Sequence, residues 1–221
     1  MFLALVSRNL LIAGRMFTVF LVDDDAGVLK ALSRLLRASG YDARSYTSPQ
    51  EFLAHHDATV PGCAVLDVSM PRLDGLELQQ ALTAAGSHRP VIFLTGRGDI
   101  PMSVRAMKAG AVDFLTKPVR DQDLLAAIAR AQGLDAKSRG VQADLAAIQA
   151  KMATLTPRER EVLAHVIAGR LNKQIAFDLG TVEKTIKVHR SRMMSKMGTR
   201  TVAELVRLAE RAGIEPPGHG R

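Results

Sequence analysis

The chain has one cysteine in 221 residues, Cys63, so no internal disulfide can form. Set in the apolar run GCAVL, it reads as a small core residue rather than a reactive thiol. The opening MFLALVSRNLLIAGR is too short to span a bilayer and is broken by Arg8 and Asn9. It lacks a basic residue ahead of its first apolar run, which makes it a poor secretory signal. No internal repeat is visible. Because Met16 directly precedes the first clear strand pattern, translation is expected to begin there, with residues 1–15 a start-site artefact or disordered extension. A cytoplasmic protein without membrane contact is expected.

What is present is enough for two modest domains, with an ordinary apolar fraction of 47%. The net charge of +8 is unevenly placed. Residues 16–135 hold 12 Lys and Arg against 14 Asp and Glu, whereas residues 151–221 hold 14 against 7. A slightly acidic front half suits a cation or small anionic chemistry. The basic back half suits a polyanion, with nucleic acid the leading candidate.

From Met16 to about residue 133, apolar runs alternate with helical patterns. TVFLV, YDARSY, GCAVLD, PVIFLT and AVDFL predict five strands; VLKALSRLLRAS, SPQEFLAHH, GLELQQALTAA, IPMSVRAMKAG and DQDLLAAIARA predict five helices. Such alternation implies an α/β domain with a parallel sheet covered on both faces. Ligands then sit at the carboxyl ends of the strands. Asp23 and Asp24 follow strand one, Asp67 strand three, Thr95 strand four and Lys117 strand five, so all five gather at one rim.

Clustered carboxylates need a proton or a cation for compensation, and an oxygen-only ligand set favours Mg²⁺. Thr95 and Gly96 offer a hydroxyl and an accessible backbone N–H to phosphoryl oxygens, and Lys117 balances the charge only when such a group is present. Lys117 precedes Pro118, a bond open to the cis form. Asp25, at the start of helix one, reads as a cap.

Behind a helical linker carrying Val141, Leu145, Ile148, Met152 and Leu155 on one stripe, a second unit begins near Leu155. The stripe suits either a helix laid against its own domain or a two-chain coil. TPRE at 156–159 is a capping box with Pro157 at the first helical position, and three more helical patterns follow. Ile175, Ala176, Leu179 and Gly180 have the spacing of a helix-turn-helix. On the next helix, Val182, Ile186, His189 and Met193 predict the buried stripe. Lys184, Lys187, Val188 and Ser191 are then outward, flanked by Arg190, Arg192 and Lys196.

Through VDDD, VLDVSMPRLDG, LTGRGD and DFLTKP, the front half resembles the receiver domain of response regulators. Through LTPREREVLAHVIAG, NKQIAFDLG and TIKVHRSRMMSKM, residues 153–212 resemble the four-helix LuxR-type DNA-binding domain. Together they resemble the NarL/FixJ family. The resemblance implies a flavodoxin-like (βα)5 receiver over residues 16–133, a linker over 134–152, the DNA-binding domain over 153–212 and a disordered tail over 213–221.

It further implies that Asp67 is the phosphoacceptor for a sensor histidine kinase. Mg²⁺ would be held by Asp24, Asp67 and the Ser69 backbone carbonyl, and by Asp23 through water. Phe114 stands where the family has a switch aromatic, a role that a plain core phenylalanine fits equally. Ser69 departs from the arginine common among FixJ-like members, which bears on the lifetime of the phosphoryl group. Lys187, Val188 and Ser191 would meet base edges in promoter DNA, with Lys173, Thr185, Arg190 and Arg192 on phosphates. Val202, Leu205 and Val206 would pair in a homodimer or pack inside the domain. RNA polymerase is the expected further partner. No enzyme activity is expected apart from Mg²⁺-dependent self-phosphorylation and self-dephosphorylation.

Two other readings stay open at this point. The DDD run also fits an aspartate-nucleophile phosphohydrolase with Asp23 as nucleophile and Asp25 as acid. A phosphate-independent DNA-binding regulator is the third.

Overall fold

The computed structural model describes residues 11–12, 15–96 and 100–214, with side chains from residue 16 onward. Arg97, Gly98 and Asp99 of the LTGRGD motif, most of the expected 1–15 extension and residues 215–221 of the expected tail lie outside it. Leu11–Ile12 pairs antiparallel with Arg15–Met16. The chain divides into two compact units, residues 1–139 and 140–221.

The first unit is a parallel five-stranded sheet of β1 (Thr18–Val22), β2 (Asp42–Tyr46), β3 (Gly62–Asp67), β4 (Val91–Thr95) and β5 (Asp113–Thr116). Its order is β2-β1-β3-β4-β5, the flavodoxin-like winding implied by the resemblance. The order reverses between β1 and β3, so their carboxyl ends flank the crevice where such folds take ligands. The fifth strand starts two residues later than AVDFL suggested, because Ala111 closes the turn behind the preceding helix through an N–H to the Ala106 carbonyl.

Helices α1 (Ala26–Ala38), α2 (Pro49–His55), α3 (Gly75–Ala84) and α4 (Ile100–Lys108) connect the strands, and α5 (Asp121–Ala153) follows. The two-residue period of the strands sorts the core into two layers. Phe17, Val19 and Leu21 face Leu29, Leu32 and Leu36 of α1 and Leu124, Ala127 and Ile128 of α5. Phe20 and Val22 face the other way, with Phe52, Leu78, Leu82 and Phe93. Cys63 is fully buried in the first layer, and burial pushes its thiol up to about 12, so it is an inert core residue as expected.

The expected fifth helix and linker are one helix of 33 residues. Gly133 and Gly140 lie inside it, each with open space where a side chain would stand. Neither breaks it, since an interior glycine costs only about 1 kcal/mol against alanine and no proline intervenes. Within the first unit α5 is tied to the end of the sheet opposite the rim. Arg139 pairs with the buried Asp135 at 2.9 Å and donates to the backbone carbonyls of Ala58, Thr59 and Val60. Beside it Arg89 lies over the Phe20 ring, 4.2 Å from its centroid, and donates to the carbonyl of Asp57.

The second unit contains the end of α5 and helices α6 (Pro157–Ile167), α7 (Asn172–Asp178), α8 (Glu183–Met197) and α9 (Val202–Arg211). The Thr156–Glu159 capping box is present as expected. Leu155, Val162, Leu163, Val166, Ile175, Ile186, Met193, Met197 and Leu205 form one core, with Met152 packed against it. The linker stripe therefore splits: Leu155 and Met152 belong to this core, while Val141 is exposed.

One expectation is corrected here, for Val182, and one open alternative is decided, for Leu205. Val182 is 65% exposed, because it is the N-cap of α8 and its backbone has left the helical path that the periodic pattern assumed. Leu205 is fully buried in its own domain, so it packs internally instead of facing a mate.

Candidate functional site

At the rim, each side chain is set by the strand end that carries it. Asp23 follows β1 directly and is buried, its backbone N–H held by the Tyr46 carbonyl at 3.2 Å. Asp67 is the last residue of β3, also buried and paired in register with Leu94. Asp24 is exposed, and carboxylate oxygens of Asp23, Asp24 and Asp67 lie within 4.8 Å of one another.

Lys117 reaches across from beyond β5. Its Nζ donates to Asp23 Oδ2 at 2.6 Å and stands 3.3 Å from Asp67 Oδ1. Its backbone N–H donates to the Thr95 carbonyl at 2.7 Å, fastening the ends of β4 and β5, and the Lys117–Pro118 peptide is cis. Thr95 is fully buried, paired with Thr116, and so belongs to the same rim; Gly96 follows it with open space around it.

Among the described residues one ammonium faces three carboxylates, and the electrostatics reflect the imbalance. Burial raises Asp23 above the ordinary aspartate range, although the hydrogen bonds from Lys117 and from the Asp25 N–H oppose it. Burial pulls Lys117 down, but the bond to Asp23 and the two negative charges outweigh that and leave it raised. Asp67 Oδ1 is buried, and among the described residues its close partner is the Lys117 ammonium, 3.3 Å away, in an ion pair looser than that to Asp23. A buried carboxylate oxygen beside two further carboxylates is what a hard divalent cation satisfies, so the residues fit Mg²⁺.

Asp25 is a helix cap, as expected: its Oδ1 accepts from the N–H groups of Gly27 and Val28 at 2.7 and 3.2 Å. The cap accounts for Asp25 without the acid role that the hydrolase reading gave it. Ser69 is exposed two residues past Asp67. Phe114 is half-buried, packed against the second core layer with its ring 6.2 Å from that of Phe93.

Gly75 escaped the sequence reading. A Cβ there would stand 2.4 Å from the Asp67 carbonyl oxygen, and its N–H donates to the Val68 carbonyl at 3.1 Å. The loop after Asp67 can close against the strand only because residue 75 has no side chain. The LDG triplet was a visible signal, but the approach it serves was not.

In the second unit, Ile175 and Ala176 are buried, Gly180 turns the chain with φ +61°, and α8 follows. Lys184, Lys187, Val188, Ser191 and Arg192 are exposed on α8, as is Lys173 on α7, while Thr185 is half-buried. Val188, at 44% exposure, sits among cations rather than in the core. Arg190 is half-buried and donates to Asn172 Oδ1 at 2.8 Å, so part of its guanidinium is already committed to the start of α7. Lys196, grouped in the sequence with the outward cations, is exposed too, but its ammonium pairs with the buried Glu159 at 2.6 Å.

Comparison with known proteins agrees with both halves. Residues 19–129 match the response regulator receiver domain family, and residues 153–209 match the bacterial regulatory proteins, luxR family. Nodulation protein W of Bradyrhizobium diazoefficiens is 45% identical over 196 residues, covering 89% of this chain and 86% of that protein. Response regulator protein TmoT of Ectopseudomonas mendocina is 44% identical, covering 87% and 88%. Among solved structures, response regulator StyR superposes with a TM-score of 0.79 at 45% identity, covering 88% of this chain and 98% of that one. Full-length FixJ from B. japonicum follows the same course with a TM-score of 0.55 at 40% identity, covering 90% and 98%.

Proposed function

The chain belongs to the two-component response regulators that join a receiver domain to a LuxR-type DNA-binding domain, and from that premise we propose that phosphorylation of Asp67 by a sensor histidine kinase controls its binding to promoter DNA. It is a DNA-binding transcriptional regulator rather than an enzyme acting on a metabolite. The observation that carries the proposal is the buried Asp67 carboxylate at the switch point of the sheet, clustered with Asp23 and Asp24 and facing Lys117 at 3.3 Å.

In the proposed step, a carboxylate oxygen of Asp67 bonds to phosphorus as the P–N bond of the kinase phosphohistidine breaks. The imidazole leaves with the electron pair and takes a proton from solvent. Lys117 neutralises phosphoryl oxygen, and the Thr95 hydroxyl with the Gly96 N–H receives the rest, so positioning and charge do most of the work. Asp24, Asp67 and the Ser69 carbonyl would hold Mg²⁺, with Asp23 acting through water, and the ion would offset charge on the phosphoryl oxygens. Thr95 moving toward the phosphoryl group would let Phe114 turn inward.

That rearrangement would favour a dimer, and two linked DNA-binding domains would engage two half-sites at high effective concentration. Lys187, Val188 and Ser191 would read base edges while Lys173, Thr185, Arg190 and Arg192 hold phosphates. RNA polymerase would then be recruited, in the cytoplasm. Residues 16–133, 134–152 and 153–212 would act as receiver, linker and DNA-binding domain, with 1–15 and 213–221 as appendages.

Genome-wide footprinting of wild type beside Asp67→Asn tests this. Footprints that depend on Asp67 are expected. Identical footprints and identical dimerisation under acetyl phosphate would instead favour a phosphate-independent regulator.

A further inference from the structure

The cations of α8 do not all serve the same purpose. Lys184, Lys187, Arg192 and Lys196 are all exposed, but the Lys196 ammonium is engaged within the domain, donating to Glu159 Oε2 at 2.6 Å and to the Thr154 carbonyl at 3.0 Å. The Glu159 side chain is only 3% exposed, and the same Oε2 accepts the Thr156 N–H at 2.9 Å. One carboxylate oxygen thus joins the end of α8 to the N-cap of α6, while the lysine also reaches the carbonyl just past the end of α5. Lys196 and the Thr156 N–H hold Glu159 below the ordinary glutamate range.

The rest of the seat of α8 is less directional. Its buried contacts are Ile186, Met193 and Met197, and methionine is an adaptable filler that tolerates sliding. Among the described residues two polar tethers act on the helix from other elements: Arg190 to Asn172 near its middle and Lys196 to Glu159 at its C-terminal end. Without the second, the tilt of the helix is set by the first and by the adaptable packing of Ile186, Met193 and Met197. Of the residues proposed to read bases, Lys187 and Val188 lie on the N-terminal side of Arg190 and Ser191 directly after it, and a shift of about 1 Å is enough to spoil positioned contacts.

We propose that Lys196 is a positioning residue for DNA reading: through Glu159 it fixes the tilt of α8, and it does not neutralise a phosphate. The inference rests on α8 being the element that enters the major groove.

The test uses the full-length protein, a duplex selected from a random pool by binding to it, and a scrambled duplex of equal length, each titrated across a salt series. Lys196→Met is expected to lower the selected-to-scrambled affinity ratio tenfold or more, with the salt slope on the scrambled duplex unchanged. Glu159→Gln should reproduce the loss and Lys196→Arg should restore most of the ratio. Partial unfolding would reduce the active fraction for both duplexes alike and leave the ratio where it was. A ratio that stays at the wild-type value, or a slope reduced in magnitude by about 0.9 with both duplexes weakened equally, would overturn the proposal. If wild type discriminates and Lys187→Ala abolishes discrimination while Lys196→Met keeps it, this inference alone fails. If wild type binds both duplexes alike, the α8 reading falls and takes this inference with it.

Discussion

Lys117 Nζ lies 2.6 Å from Asp23 Oδ2 and 3.3 Å from Asp67 Oδ1, so a single ammonium from beyond β5 bridges the carboxylates that end β1 and β3. Among the described residues it is a partial counter-charge, sufficient to hold the rim together and insufficient to neutralise its three carboxylates. The chemistry proposed for the rim depends on that shortfall.

Metal binding should therefore compete with a proton. Burial raises Asp23 above the ordinary aspartate value of 3.8, so the metal-free rim takes up a proton more readily than the unfolded chain does. Mg²⁺ affinity is expected to fall as pH drops toward that raised value, with proton release on binding. Calorimetric titrations at a series of pH values, in buffers of different ionisation enthalpy, measure both. Folded-state ionisation of Asp23 weakens stability as pH rises through its pKa, so Mg²⁺ should stabilise the chain more at pH 7 than near pH 4. Urea midpoints with and without Mg²⁺ check the sign.

Gly75→Ala should damage the site without touching any reacting group. The new Cβ would meet the Asp67 carbonyl oxygen at 2.4 Å, so the strand end or the loop must shift. A loss of about 1–3 kcal/mol of stability is expected from the overpacking, with slower phosphorylation by acetyl phosphate. Urea denaturation and mass spectrometry of the phosphorylated chain read the two effects.

Arg139→Met should cost more than the double change Arg139→Met with Asp135→Asn. The single change leaves a buried carboxylate without its cation, a loss of about 3–5 kcal/mol at a fully buried site, here discounted because the Arg139 side chain is partly exposed. The loop carbonyls of Ala58, Thr59 and Val60 lose their donor in both variants. Comparing the urea midpoints of both variants with that of wild type isolates the charge.

Leu205→Ala should act on stability, since its side chain is fully buried among the helices of its own domain. About 2–5 kcal/mol is expected for a buried leucine. Far-UV circular dichroism in urea measures it.

On the DNA side, Arg192→Ala or Lys173→Ala is expected to lower the magnitude of the log-log salt slope by about 0.9, the signature of one lost phosphate contact. Both side chains are exposed and free to face a backbone. Filter binding across a salt series on one duplex gives the slope.

Much of this was readable along the chain because it is local. The strand-helix alternation, the Thr156–Glu159 capping box, the Asp25 cap and the buried Cys63 each depend on residues a few positions apart. The rim could be assembled because a parallel sheet sends every strand's carboxyl end to the same side, which turns sequence order into spatial convergence. What escaped involves distance or an interrupted period. Val182 continued the apolar rhythm of α8 on paper, yet the helix begins after it. Gly75 matters through a backbone atom of Asp67, which no residue pattern reveals. Asp135 and Arg139 serve a loop some eighty residues away, and Lys196 reads as one more surface cation until Glu159, 37 residues earlier, is seen beneath it.

The central claim is that Asp67 carries the phosphoryl group in a Mg²⁺-dependent pocket. Fluorine NMR of the full-length chain with beryllofluoride measures this most directly. A bound resonance that requires Mg²⁺ and is absent from Asp67→Asn is expected; a bound resonance that persists in Asp67→Asn, or that forms without the metal, would contradict it.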